Sequence, residues 1–244
     1  MKKAGLKGII FTLFSSEADE HENITRVSGS FNKTLSAINK STNNNLKTEL
    51  HFVPLLRNYK SLENLVDYAL ELGITKISIL RFVFHGRGII IDGISTLTKK
   101  EYIIFRNILK RINKKHPGLI RLGSPFNFLL LRDNVKCNAG INQIIVNPKG
   151  YIFPCDAFKN IYPKSLGIDE NYNSVIDHSI VEIWENSEYL NYIRSLITKD
   201  KEEPCISCIY LKDCESGCLA QKIIRNGSFI GKDPDCLKNG GKNV

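Results

Sequence analysis

All seven cysteines of this 244-residue chain, Cys137, Cys155, Cys205, Cys208, Cys214, Cys218 and Cys236, lie after residue 136. Four of them recur between Cys205 and Cys218 with two, five and three intervening residues, close enough for several sulfurs to reach one inorganic centre. The odd count argues against a closed disulfide framework. The amino terminus, Met1-Lys2-Lys3-Ala4-Gly5-Leu6-Lys7, lacks the apolar core of a secretory signal, so the expected compartment is the cytoplasm, where thiols stay reduced. Metal binding is therefore the expected role. Spacing alone leaves zinc and iron-sulfur both open, since Cys-x2-Cys followed by further thiols suits either. One four-thiolate site would leave three cysteines, so ligand arithmetic favours two centres, one closed and one with an open position.

Before the cysteines, apolar β-rich runs alternate with helical patterns. Residues 8–14, 49–53 and 76–83 read as buried strands. Ser30 is expected to cap a helix carrying Phe31, Leu35 and Ile38. Ser61 is expected to cap a second, with Leu62, Leu65, Val66, Ala69 and Leu72 inward and Gly73 as its stop. Thr98 opens a third, with Tyr102, Phe105, Ile108, Leu109 and Ile112 inward and Pro117 at its end. Such alternation implies right-handed β-α-β units and a parallel sheet. At roughly 30 residues per unit only about three units fit, too few to close a barrel. The first strand should then leave an open edge, with Ile9, Phe11 and Leu13 in want of a cover.

The charge of +9 comes from 34 basic residues spread along the whole chain and reads as solvated surface, so no nucleic-acid partner is expected. No apolar run approaches the roughly 18 residues of a membrane span. A hairpin is expected where residues 141–146 and 151–153 flank Asn147-Pro148-Lys149-Gly150; its turn would bring Cys137 and Cys155 together. Trp184, Tyr189 and Tyr192 stand at helical spacing and read as core. The five histidines show no i,i+4 pairing and read as non-ligands.

The string Cys137-x12-Gly150-x4-Cys155, Cys205-x2-Cys208-x5-Cys214-x3-Cys218 and Asp233-Pro234-Asp235-Cys236 resembles the SPASM domain of radical SAM enzymes that modify ribosomally made peptides or proteins. The α/β half resembles the second half of a radical SAM partial barrel. Residues 11–16 up to His21, then 24–31, resemble its fourth strand and following loop, and residues 80–88 its sixth strand and exit. The resemblance implies an α/β fold with an incomplete (β/α) barrel half over 1–122 and a small SPASM domain with a β-hairpin and helices over 123–244. No cysteine precedes Cys137, so the family's activating Cys-x3-Cys-x2-Cys is not in this sequence. The chain is expected to be the carboxy-terminal part of such an enzyme, completed by a separately encoded amino-terminal half or otherwise, and not to cleave S-adenosylmethionine alone.

The same resemblance assigns Cys205, Cys208, Cys214 and Cys236 to a fully ligated [4Fe-4S] cluster. It assigns Cys137, Cys155 and Cys218 to a second [4Fe-4S] cluster with one iron open to a substrate thiolate or amide. Thr12 matches a fourth-strand hydroxyl that contacts the cofactor ribose, and Arg26 can approach its carboxylate; an internal strand threonine and a solvent arginine are the competing readings. Arg81 and Arg87 end the sixth-strand segment, either as ligand contacts or in structural ion pairs. The expected partner is a peptide or protein substrate. The alternative is a non-catalytic iron-sulfur or zinc-binding subunit that docks a peptide.

Overall fold

In the computed structural model, which describes residues 2–89, 96–131 and 135–238, the chain divides into two compact units. The first is Met1–Asp133 with Asp235–Leu237, and the second is Asn134–Pro234 with Lys238–Val244.

The first unit is built on β1 (Gly8–Thr12), α1 (Ala18–Thr25), α2 (Ser30–Asn43), β2 (Lys47–Phe52), α3 (Leu62–Glu71), β3 (Lys76–Ile79), α4 (Lys99–Lys115) and β4 (Ile120–Leu122). The four strands form one parallel sheet in the order β1-β2-β3-β4. Side chains alternate across a strand, so register assigns each row to one face. Phe11, Leu50, Ile77 and Ile120 form an apolar row, continued by Phe52, Ile79 and Leu122. Against it stands a polar row of Thr12, His51, Ser78 and Arg121, with Glu49 and Lys76 in the next.

The helices follow the sequence periodicity. In α4 the buried residues are Tyr102, Phe105, Ile108, Leu109 and Ile112, as the spacing predicts. The Thr98 side chain accepts from the Glu101 amide while the Glu101 carboxylate accepts from the Thr98 amide at 2.7 Å, which satisfies two N-terminal donors. Gly73 ends α3 at φ 73°. Ser61 precedes α3 but makes no side-chain cap; its hydroxyl donates instead to Glu20 at 2.8 Å and to the Asn58 carbonyl. The cap of α2 is Gly29, with Ser30 as its first helical residue.

Three expectations on the strands are corrected. β1 ends at Thr12 because the Phe14 amide turns to His21 Nδ1 at 3.2 Å and leaves the ladder. β3 ends at Ile79, not at residue 83, because its partners β2 and β4 end opposite it at Phe52 and Leu122. β1 is the edge strand, but Leu13 is fully buried; the side chain that projects is Ile10 on the opposite face, 46 % exposed. The segment read as the loop after the first strand contains α1. Asp19 and Glu20 in its first turn favour the amino end, and His21 and Ile24, three apart, are its buried pair. β4, three residues long, was not anticipated.

The second unit holds an antiparallel hairpin of β5 (Ile145–Val146) and β6 (Ile152–Phe153), then α5 (Ile180–Asn186), α6 (Glu188–Thr198), α7 (Leu211–Cys214) and α8 (Leu219–Asn226). The hairpin turn closes with the Gly150 amide on the Asn147 carbonyl at 2.9 Å. Gly150 sits at φ 82°, a left-handed conformation that favours glycine. Among the described residues no helix is long and apolar enough to cross a membrane.

Candidate metal centre

Cys137 lies before the hairpin, Cys155 just after it, and Cys218 caps the start of α8. All three pack at the margin of one apolar core formed by Ala139, Phe153, Phe158, Tyr189, Ile193, Leu219 and Ala220. Burial first, and then the Cys218 and Cys137 sulfurs, push the Cys155 thiol up to about 12 against the opposing amides of Ala157 and Phe158 that face its sulfur. The hairpin and the start of α8 thus bring three sulfurs within electrostatic reach across 81 residues of sequence. Three thiolates in apolar surroundings repel one another and are poorly solvated; a bound cation removes that penalty and deprotonates its ligands. Backbone N–H groups on a sulfur also suit a cluster ligand. Burial and then the Cys155 charge push the Tyr189 phenol upward, and its hydroxyl donates to the Ile161 carbonyl at 2.7 Å.

The other thiols are placed by tight turns. The Cys208 amide donates to the Cys205 carbonyl at 3.0 Å, and the Cys214 amide to Tyr210 at 2.8 Å. Between Cys214 and Cys218 the backbone runs through three consecutive left-handed residues, Glu215 (φ 52°), Ser216 (φ 59°) and Gly217 (φ 82°). Each non-glycine residue in this run costs roughly 1–2 kcal/mol. The buried Asp233 carboxylate holds the end of the run, accepting from the Cys218 amide at 2.9 Å. Cys205 and Cys214 both act on the buried Lys222 ammonium, which burial depresses and their charges raise. Burial likewise depresses Lys201, opposed by Glu215, Asp200 and Cys137; its Nζ donates to the Leu196, Ile197 and Lys199 carbonyls. Cys236 follows Asp235, whose carboxylate forms a buried ion pair with Arg81 at 2.6 Å. None of the seven cysteines is in a disulfide. Among the described residues no three His, Cys, Asp or Glu side chains close on a single-ion position. The donor chemistry of the thiol groups carries the metal reading.

In the first unit, Thr12 stands exposed at the end of β1, on the polar row of the sheet. Arg26 caps the carboxyl end of α1 in a left-handed conformation and is exposed. Arg81 lies past β3, stacked on Phe128 at 4.5 Å and donating to the Pro125 carbonyl and to Asp235; this is the ion-pair reading of that residue. The Arg87 side chain lies outside the described residues. The polar row itself escaped the sequence reading. There Arg121 Nε donates to Ser78 at 3.0 Å, and Glu49 pairs with Lys47 at 2.8 Å, which with burial opposing holds its carboxyl below the usual range. Burial and then Arg121 push His51 down. The alternation Thr48-Glu49-Leu50-His51-Phe52 was the available signal. Tyr189 is core, whereas Tyr192 is partly exposed and Trp184 half-buried under the Arg194 guanidinium.

Residues 137–209 match the SPASM family, an iron-sulfur cluster-binding domain. Over 261 residues the chain is 22 % identical to an AdoMet-dependent heme synthase of Methanosarcina barkeri, covering 99 % of this chain and 70 % of that protein. It is 24 % identical to a PqqA peptide cyclase of Methylocella silvestris, over 96 % of this chain and 61 % of the cyclase. Its fold is similar to the structure of Streptococcus suis SuiB bound to the precursor peptide SuiA, with TM-score 0.66 and 18 % identity over 93 % of this chain and 52 % of SuiB. The chain thus spans about half to two-thirds of the length of these proteins. It carries a match to the SPASM iron-sulfur cluster-binding domain over residues 137–209, which hold four of its seven cysteines, and its fold is similar to that of SuiB.

Proposed function

We propose that these residues form the auxiliary-cluster and substrate-side part of a radical SAM/SPASM enzyme that modifies a ribosomally made peptide or protein. The observation that carries this reading is the gathering of Cys137, Cys155 and Cys218 on one apolar core inside the matched domain and its flank. In the proposal those three hold one [4Fe-4S] cluster with an open iron, and Cys205, Cys208, Cys214 and Cys236 hold a second, closed one. When bound, such clusters supply one-electron transfer at a potential set by charge, hydrogen bonds and exposure. This chain's own part is to bury the sulfurs, direct the Ala157 and Phe158 amides at Cys155, and fix Cys218 through Asp233. The functional division proposed is a barrel half over 1–122 and the auxiliary-cluster domain over 123–244.

The peptide substrate is supported by a relative named as a peptide cyclase and by a similar structure that holds a precursor peptide. The activating Cys-x3-Cys-x2-Cys is not among these residues. Cofactor cleavage is therefore assigned to residues outside this sequence, with Thr12 and Arg26 as contacts to S-adenosylmethionine once the site is complete. Anaerobic reconstitution tests the reading. It expects a brown protein with about eight iron and about eight sulfide per chain and no 5'-deoxyadenosine under strong reductant. A colourless protein with two zinc ions would favour the docking-subunit alternative. Deoxyadenosine above a cysteine-free control would overturn the assignment of cleavage to residues elsewhere.

A further inference from the structure

Lys222 is the most deeply buried lysine among the described residues of the second unit, 2 % exposed, one turn into α8 from Cys218. Its Nζ donates to Ser216 Oγ at 3.0 Å and to the Gly231 carbonyl at 3.1 Å. Both acceptors are neutral, so they satisfy two of its three N–H groups without neutralising its charge. Buried ammonium groups are rare unless a negative group compensates them. The negative groups acting on this one are Cys205, Asp233 and Cys214. Asp233 also accepts from the Cys218 amide, a neutral donor that leaves its charge in place, so the carboxylate shares Lys222 with the thiolates. Cys205 and Lys222 border the same cavity of about 590 Å³, with Ser216 beside them and Leu219, Ile223 and Phe229 supplying apolar wall. Lys222 is itself shielded from water, and a buried charge acts more strongly on its neighbours than an exposed one.

We propose that Lys222 is the resident counter-charge of the Cys205 and Cys214 thiolates and sets the reduction potential of the cluster they hold, an inference that rests on the second-cluster reading above. The step concerned is one electron from an external low-potential reductant into the cluster, with no bond made or broken. Reduction adds one negative charge to an already anionic, thiolate-ligated centre. A buried cation beside two of its ligands favours the reduced form; neutralising that cation favours the oxidised form. Lys222 acts through the ligands and is a tuning residue, not a catalytic one.

The test separates charge from hydrogen bonding in the anaerobically reconstituted full chain. Lys222→Gln keeps N–H donors for Ser216 and Gly231 and removes the charge; Ser216→Ala removes an acceptor and keeps the charge. Potentiometry followed by electron paramagnetic resonance reads the reduced-to-oxidised ratio of each cluster, beside an iron count. Lys222→Gln is expected to lower that ratio about tenfold at fixed potential for one of the two signals, equivalent to 59 mV for a one-electron couple. The other signal should stay unchanged, and Ser216→Ala should match wild type. Equal shifts in both variants would assign Lys222 a structural role, and no shift in Lys222→Gln would remove the counter-charge; either overturns the proposal. Should Lys222→Gln lose the cluster outright, Lys222→Arg decides: a retained cluster with the wild-type ratio supports the counter-charge, and its loss overturns it. A wild-type chain with iron for one cluster only defeats the second-cluster reading itself and the inference with it, a result distinct from an intact cluster indifferent to Lys222.

Discussion

Substituting Gly217 by alanine should dislodge Cys218, a ligand of the proposed open cluster, without touching a cysteine. At φ 82° a side chain is strained, at a cost of about 1 kcal/mol relative to glycine. The space is also taken: an added β-carbon would stand 2.3 Å from Asp233 Oδ2, 2.4 Å from its Cβ and 2.7 Å from its Cγ. Because Cβ is among the obstructed atoms, rotating the carboxylate alone does not relieve the clash. Asp233 must withdraw by about 1 Å to reach ordinary contact, which takes the 2.9 Å Cys218 amide bond out of hydrogen-bond range. A buried hydrogen bond to a charged acceptor is worth about 1.5–3 kcal/mol, so strain and lost bond together come to about 2.5–4 kcal/mol. The control is Gly227→Ala, where φ is 68° but nothing lies within 4 Å, so only the strain of about 1 kcal/mol applies. Urea unfolding of the metal-free protein and iron counting after reconstitution measure the two consequences. Gly217→Ala should lose the iron of the cluster that uses Cys218 and Gly227→Ala should not. If Gly217→Ala retains wild-type iron and unfolds within about 1 kcal/mol of the control, the role given to Asp233 is wrong.

Cys155 carries a pH signature in the metal-free chain. Its folded value of about 12 lies above the ordinary 9.0, so the stability it contributes is present below pH 9 and is lost as pH rises toward 12, at about 1.4 kcal/mol per pH unit. Cys155→Ser should flatten that alkaline fall in urea unfolding measured from pH 8 to 11, and an unchanged slope would contradict the burial assigned to the sulfur. Arg81→Met should cost about 3–5 kcal/mol by removing the cation buried beside the Asp235 carboxylate, while Arg81→Met with Asp235→Leu should recover most of it; equal losses in both would show that the ion pair is not the source. Leu13→Ala should cost about 2–5 kcal/mol and Ile10→Lys within about 0.5 kcal/mol, since Leu13 is fully buried and Ile10 is 46 % exposed; similar costs would contradict the assignment of faces to β1.

Local chemistry made much of this protein readable in its sequence. Helix α4 needed only Thr98, Glu101 and five apolar residues at helical spacing, because caps and periodicity act within a few residues of themselves. The hairpin followed from Asn147-Pro148-Lys149-Gly150 for the same reason. The cysteine string announced a metal-binding unit by spacing, and its resemblance to the SPASM domain gave each sulfur a proposed partner set. Strand ends were not readable, since β1 stops where His21 takes the Phe14 amide and β3 where both neighbours run out, and neither partner is adjacent in sequence. The role of Arg81 stayed divided between ligand and ion pair until folding set it against Asp235, 154 positions away. Nothing local marks Asp233 as the holder of Cys218 or Lys222 as the cation beside Cys205. Their burial, and therefore the strength of their charges, exists only once the left-handed turn at 215–217 and helix α8 have excluded water from around them.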